Sequence, residues 1–176
     1  VWRGVALAFF LLLRASEIWA YHSDGLVHPD FCVQAGDVHF RRQGRPLPAA
    51  AGHTADEARF IIRGSKTDQL RVGSTAVLTA AGGGLADPVR IFADVVAALP
   101  AAATAQHPLM SVATRAGGIG ALKRREAELL IRSLAMRQGL DPRQYGTHSM
   151  RVGGATTLAH AGVPGRLIQA AGRWRS

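Results

Sequence analysis

The segment Gly146-Thr147-His148-Ser149-Met150-Arg151 carries residue types suited to holding an anion. A helix predicted over Thr147 to His160 sets His148 and Arg151 three apart, on one face of its first turn. Thr147 is expected to cap that helix. A helix N-terminus favours negative charge, and an arginine there adds a forked clamp for phosphate. His148 can hydrogen-bond to the same group or exchange a proton with it. A metal is not expected, because the partner position holds arginine rather than histidine or a carboxylate. Arg14-Ala15-Ser16-Glu17 is a second candidate. Arg14 follows a long apolar stretch, where a charge needs a partner or a task. It is either one half of an ion pair with Glu17 or a second guanidinium for the same anion. Lys66, in the turn-forming run Gly64-Ser65-Lys66-Thr67-Asp68, is a solvated turn residue or a proton donor that arginine could not replace. Trp174, in Ala171-Gly172-Arg173-Trp174, has an indole N–H to donate.

The elements that must position these residues are mostly helical, with a small antiparallel sheet inserted after the first helix. Arg3 to Ala20 reads as one helix, without proline or glycine after Gly4. A short strand is expected at Phe31 to Val33 and another at Asp37 to Phe40. Gln43 to His53, rich in Gly, Pro and Ala, reads as a loop. Ala58 to Arg63 has strand character, Leu70 to Val72 reads as its return, and Thr75 to Thr79 extends the sheet. Asp87-Pro88 opens a helix reaching about Leu99, with Asp87 as N-cap. Ala121 to Gln138 is a further helix closed by Gly139. The last runs from Pro164 to about Ala171.

The chain has 176 residues and a net charge of +9, in keeping with a single domain over 1–176. Its basic excess points to a polyanion, nucleic acid first. All its basic residues are arginine except Lys66 and Lys123. The sole cysteine, Cys32, excludes an internal disulfide and a cysteine-based zinc cluster. The longest apolar run, Val5 to Leu13, is too short to span a bilayer, and no cleavage site follows it, so neither membrane insertion nor secretion is expected. Gly117-Gly118-Ile119-Gly120 lacks the Lys-Ser/Thr ending of a phosphate loop and the third glycine of a dinucleotide fingerprint, which argues against a nucleotide-binding enzyme.

In their order along the chain, these four segments resemble the catalytic domain of tyrosine recombinases, the phage-integrase family. The matching motifs are Arg-x-x-Glu (Arg14, Glu17), a hairpin lysine (Lys66), His-x-x-Arg (His148, Arg151) and Gly-x-His/Trp (Gly172, Trp174). The run from His148 to Thr157, with Gly162-Val163-Pro164 and Leu167-Ile168-Gln169, is most similar to recombinases of eukaryotic mobile elements, the crypton and DIRS-like groups. Val152 stands where many members have a second histidine. The resemblance covers nearly the whole chain and implies an α+β fold, mainly helical with a small antiparallel sheet, here truncated at the C-terminus.

The resemblance implies site-specific DNA recombination through a 3′-phosphotyrosine, without metal or cofactor. Arg14 and Arg151 would hold the non-bridging oxygens, and His148 would assist them. Lys66 would protonate the leaving 5′-oxygen, Trp174 would donate its indole N–H, and Glu17 would support Arg14. The attacking tyrosine of the family lies two or three helical turns beyond the Trp174 position. The chain is therefore expected to be cut before it, and before Val1 as well, where the family has a DNA-binding domain. Neither Tyr21 nor Tyr145 fits the motif order. Candidate contacts to double-stranded DNA are Arg41, Arg42, Arg63, Arg71, Lys123, Arg124 and Arg173, with Arg45 and Arg125 beside them. A tetrameric assembly is implied for the full-length protein, in the nucleus of a eukaryote or otherwise in the cytoplasm. The alternative reading is an inactive DNA-binding remnant of such an enzyme.

Overall fold

The computed structural model describes residues 1–19, 22–23, 26–27, 32–63, 72–82, 84 and 86–174. The chain opens with α1 (Trp2–Phe10) and α2 (Ala15–Ile18). Two short strands follow, β1 (His22–Ser23) and β2 (Leu26–Val27), paired antiparallel. Next come β3 (Val38–Arg42), β4 (Arg45–Leu47), β5 (Glu57–Ile62) and β6 (Ser74–Thr79). They form one antiparallel sheet in the order β4-β3-β5-β6. Helix α3 (Pro88–Ala97), the hairpin of β7 (Ser111–Ala113) and β8 (Ile119–Ala121), and helices α4 (Arg124–Arg137), α5 (Thr147–His160) and α6 (Gly165–Gly172) complete the fold. The architecture is mixed α+β: several helices around a small four-stranded antiparallel sheet.

One apolar core joins the two parts. Leu7, Ile18 and Trp19 from the N-terminal helices meet Phe40 and Phe60 from the sheet and Val89, Phe92 and Val95 from α3. Strand β5 shows the period of two that this arrangement requires, with Ala58, Phe60 and Ile62 buried. Asp87 caps α3 by accepting from the backbone N–H groups of Val89 and Arg90, and Pro88 takes the first turn. Gly139 has φ +72, the left-handed residue that ends α4.

Three expected elements differ. The helix expected over Arg3 to Ala20 is two helices. Helix α1 stops at Phe10, and Leu12 takes φ +50. Leu13 N–H donates to the Ala8 carbonyl at 3.0 Å and Leu12 N–H to the Phe9 carbonyl at 3.4 Å, the paired bonds of a Schellman turn with leucine where glycine is usual. The loop expected over Gln43 to His53 holds β4 and a 3₁₀ turn over Ala49–Thr54. Gln43 and Gly44 both have positive φ, which makes a tight two-residue hairpin, and Pro46 is tolerated because β4 is an edge strand. The helix expected from Ala121 begins at Arg124, because Ile119–Ala121 pairs as β8.

Smaller differences concern the strands. The partner of β5 is Ser74–Thr79; Leu70 and Arg71 of the expected return strand lie outside the described residues. Phe31 also lies outside them, and neighbouring Gln34 makes only an isolated bridge to Pro108. Among the described residues, no helix is long and apolar enough to cross a membrane.

Candidate functional site

A cavity of about 520 Å³ opens where the α1–α2 break, the N-termini of α4 and α5, and the end of α6 meet. Its walls include Arg14, Arg124, His148, Arg151 and Trp174, with Trp19 and Thr147 beneath. Four of the five candidate catalytic residues thus share one site, although Arg14 and Trp174 stand at opposite ends of the sequence. Lys66, the fifth, lies outside the described residues.

Arg151 is the structural centre of the site. It is 3% exposed, and its guanidinium donates to the carbonyls of Leu12 and Gly172. Both carbonyls sit at the C-terminal turns of helices, α1 and α6, where backbone dipoles are negative. Desolvation is thereby offset by three elements converging on one cation: the ends of α1 and α6, and the face of Trp174, whose ring centroid is 5.0 Å from the guanidinium carbon. Burial first, and then the charge of Arg14, lower the Arg151 pKa to about 10, so it remains a cation at neutral pH.

The backbone at both helix ends is unusual. Helix α6 closes like α1: Trp174 N–H donates to the Gln169 carbonyl and Arg173 N–H to the Ala170 carbonyl, each at 3.0 Å, with Arg173 at φ +54. Leu12, Gln43 and Arg173 are the non-glycine residues with positive φ among those described. Two of the three meet at this site, and such strain concentrates where a geometry is imposed from outside the local sequence.

Glu17 lies behind the cavity and has no exposed surface. Its Oε1 accepts from Arg14 Nη1 at 3.0 Å. Its Oε2 accepts from the Arg14 backbone N–H and from Arg173 Nη2, both at 2.8 Å. Arg173 also donates from Nη1 to the Ala171 carbonyl at 2.9 Å. Arg14 is thus ion-paired with Glu17, as the first alternative expects, and it also lines the cavity. The Glu17 half of the pair is fully buried, and the Arg14 half is partly exposed.

Helix α5 packs on α1 closely enough that a Cβ on Gly154 would come within 2.3 Å of the Phe9 carbonyl oxygen and 2.6 Å of Leu12 Cδ2. Only glycine permits that approach, and it fixes the depth at which Arg151 meets Leu12. Thr147 does not cap α5. Gly146 holds the cap position, Ser149 Oγ accepts its N–H at 3.1 Å, and Thr147 is the first helical residue, its buried Oγ1 without a partner among the described residues.

The candidate DNA contacts separate into groups. Arg173 is not a surface contact: it turns inward to Glu17. Arg63 grips the buried carboxylate of Asp37 with two bonds, Nε to Oδ2 at 2.7 Å and Nη2 to Oδ1 at 2.9 Å. Lys123 and Arg124 are exposed at the start of α4, Arg124 on the cavity wall and paired with Glu128 at 2.7 Å. Arg41 and Arg42 lie on β3, away from the cavity walls, and Arg71 is outside the described residues. Sequence reasoning missed the Leu12 and Gly172 carbonyls, because a carbonyl acceptor leaves no mark in residue types. Among the described residues, no group of three His, Cys, Asp or Glu side chains is placed to hold a metal ion. No protein-family model matches this sequence, and no curated protein matches it significantly.

Proposed function

We propose that this chain carries the phosphodiester-holding part of a tyrosine-recombinase catalytic domain, acting on double-stranded DNA. The observation that supports this most is the convergence of Arg14, His148, Arg151 and Trp174 on one cavity with excess positive charge. Among the described residues, Arg14, Arg151 and Arg173 surround a single carboxylate, Glu17, so the cluster has charge left over for an anion. A phosphodiester under attack gathers negative charge on its non-bridging oxygens, and fixed guanidiniums are suited to that charge. Arg14 and Arg151 are assigned this role. His148, exposed at the first turn of α5, assists by hydrogen bonding and proton exchange with the same oxygens. Trp174 donates its indole N–H and covers Arg151. Lys66 is assigned as the general acid for the leaving oxygen. Tyr145 does not line the cavity, so the attacking phenol is assigned to the segment that follows Trp174 in such enzymes.

A second reading, a DNA-binding remnant without catalysis, draws on the engagement of Arg151 by two backbone carbonyls. One experiment separates the two. The full reading frame is incubated with a nicked suicide duplex, and covalent protein–DNA adduct is measured. Adduct that disappears in Arg14→Ala and Arg151→Ala is expected. Salt-sensitive binding without adduct selects the remnant. No duplex binding even at low ionic strength overturns both readings.

A further inference from the structure

Arg173 lines no part of the cavity, yet it is tied into the charge cluster behind it. The way Glu17 is shared suggests why. A carboxylate facing an arginine tends to take two parallel N–H bonds, one to each oxygen. Arg14 offers only Nη1, to Oε1. The second oxygen, Oε2, is held by Arg173 Nη2 and by the Arg14 backbone N–H, each at 2.8 Å. Among the described residues, Arg14 Nε and Nη2 donate to nothing. Arg173 is itself fixed by its place in the turn ending α6, with φ +54, and by its bond to the Ala171 carbonyl.

We propose that Arg173 is a positioning residue: by occupying Glu17 Oε2 it restrains Arg14 to a single-pronged pair and leaves Arg14 Nε and Nη2 for an anion in the cavity. The proposal rests on the anion-site reading of that cavity. Without Arg173, Glu17 would draw Arg14 into a two-pronged pair and out of use. Arg173 therefore governs affinity from a distance, through Glu17, without touching the ligand.

The test compares Arg173→Gln, Glu17→Gln and the double variant with the unaltered chain, by two measurements. The first is nitrogen-15 NMR of the Arg14 Nε–H in the ligand-free protein. Slower guanidinium rotation and hydrogen exchange are expected in Arg173→Gln, with both effects removed in the double variant. The second is affinity for a short DNA duplex. Arg173→Gln is expected to weaken it about tenfold, equivalent to roughly 1.4 kcal/mol. The double variant should return to within about threefold of Glu17→Gln, on the same scale. Equal weakness in Arg173→Gln and the double variant, or an unchanged Arg14 resonance, overturns the proposal. Should Arg173→Gln fail to fold, the double variant, which buries no lone carboxylate, decides: folded with a mobile Arg14 it supports the proposal, and unfolded it overturns it. Loss of duplex binding by the unaltered chain counts against the anion-site reading, while the NMR comparison still decides the role of Arg173.

Discussion

Asp37 and Glu17 begin from the same local device. Each is a buried carboxylate three residues into a short helical turn, and each reaches back to accept a backbone N–H at 2.8 Å, from Gln34 and Arg14 respectively. They diverge in the arginines they meet. Asp37 is gripped by Arg63 through two bonds, one to each oxygen. Glu17 divides its oxygens between Arg14 and Arg173, with the guanidinium of Arg151 close enough to feel its charge. Among the described residues, the first arrangement pairs one anion with one cation and joins the start of β3 to the end of β5. The second gathers three cations around one anion, and cations without local counter-charge are tolerated where something else supplies it. Two sites that look alike in the sequence thus differ in electrical closure, one balanced and one in deficit.

Substitutions can break that contrast. Asp37→Ala takes the buried carboxylate away from Arg63 and from the Gln34 N–H; an expected loss of about 3 kcal/mol, near the lower end for breaking a buried pair because Arg63 is partly exposed, should be read by urea unfolding. Duplex DNA should not restore it. Glu17→Gln is expected to lose about 2 kcal/mol, and bound duplex should recover most of this, since the missing negative charge is then supplied from outside. Equal recovery by both variants would erase the distinction. Gly154→Ala, which forces α5 off α1, is expected to cost about 2 kcal/mol as overpacking and to weaken duplex binding as well, because Arg151 rides on the displaced helix. Asp87→Ala removes the cap of α3, remote from the cavity; a loss of about 1 kcal/mol with unchanged duplex affinity is expected.

The smallest effect is that of pH on Arg151. Burial and the neighbouring charge of Arg14 lower its pKa to about 10, so the side chain is charged in both folded and unfolded chains below that value and contributes no slope there. Above about 10 the folded chain releases the proton first. The Arg151 contribution to stability then rises with pH, while affinity for the duplex falls. A titration of binding through pH 10, compared with Arg151→Lys, checks the sign.

Much of the site was legible as spacing. A spacing of three from His148 to Arg151 means one helical face, and the observed helix spans the expected Thr147–His160. The cap at Asp87-Pro88 and the alternation of β5 were equally local signals. The break between α1 and α2 was not legible, because Phe9 to Leu13 is continuously apolar with good helix formers and no residue that stops a helix. The stop comes from tertiary structure: Leu12 turns left-handed and presents its carbonyl to Arg151. The inward turn of Arg173 was hidden for the same reason. Its side chain is identical to that of a DNA-contacting arginine, and only the depth of Glu17 tells them apart. Strand β4 was masked by Pro46, which reads as loop until its place at the sheet edge is known.

The bond from Arg151 to the Leu12 carbonyl spans 139 residues, and that from Arg173 to Glu17 spans 156. Closing loops of that length costs entropy that no neighbouring contact repays until both ends of the chain have arrived. Contacts of such sequence separation slow folding and tend to be made after local helices and hairpins. A chain with its helices and sheet already built but α6 undocked would have no Gly172 carbonyl on Arg151 and no second arginine on Glu17. Under the proposed anion-site reading, competence to hold an anion matures with the final docking step, and an intermediate is expected to show native helix content before affinity for DNA.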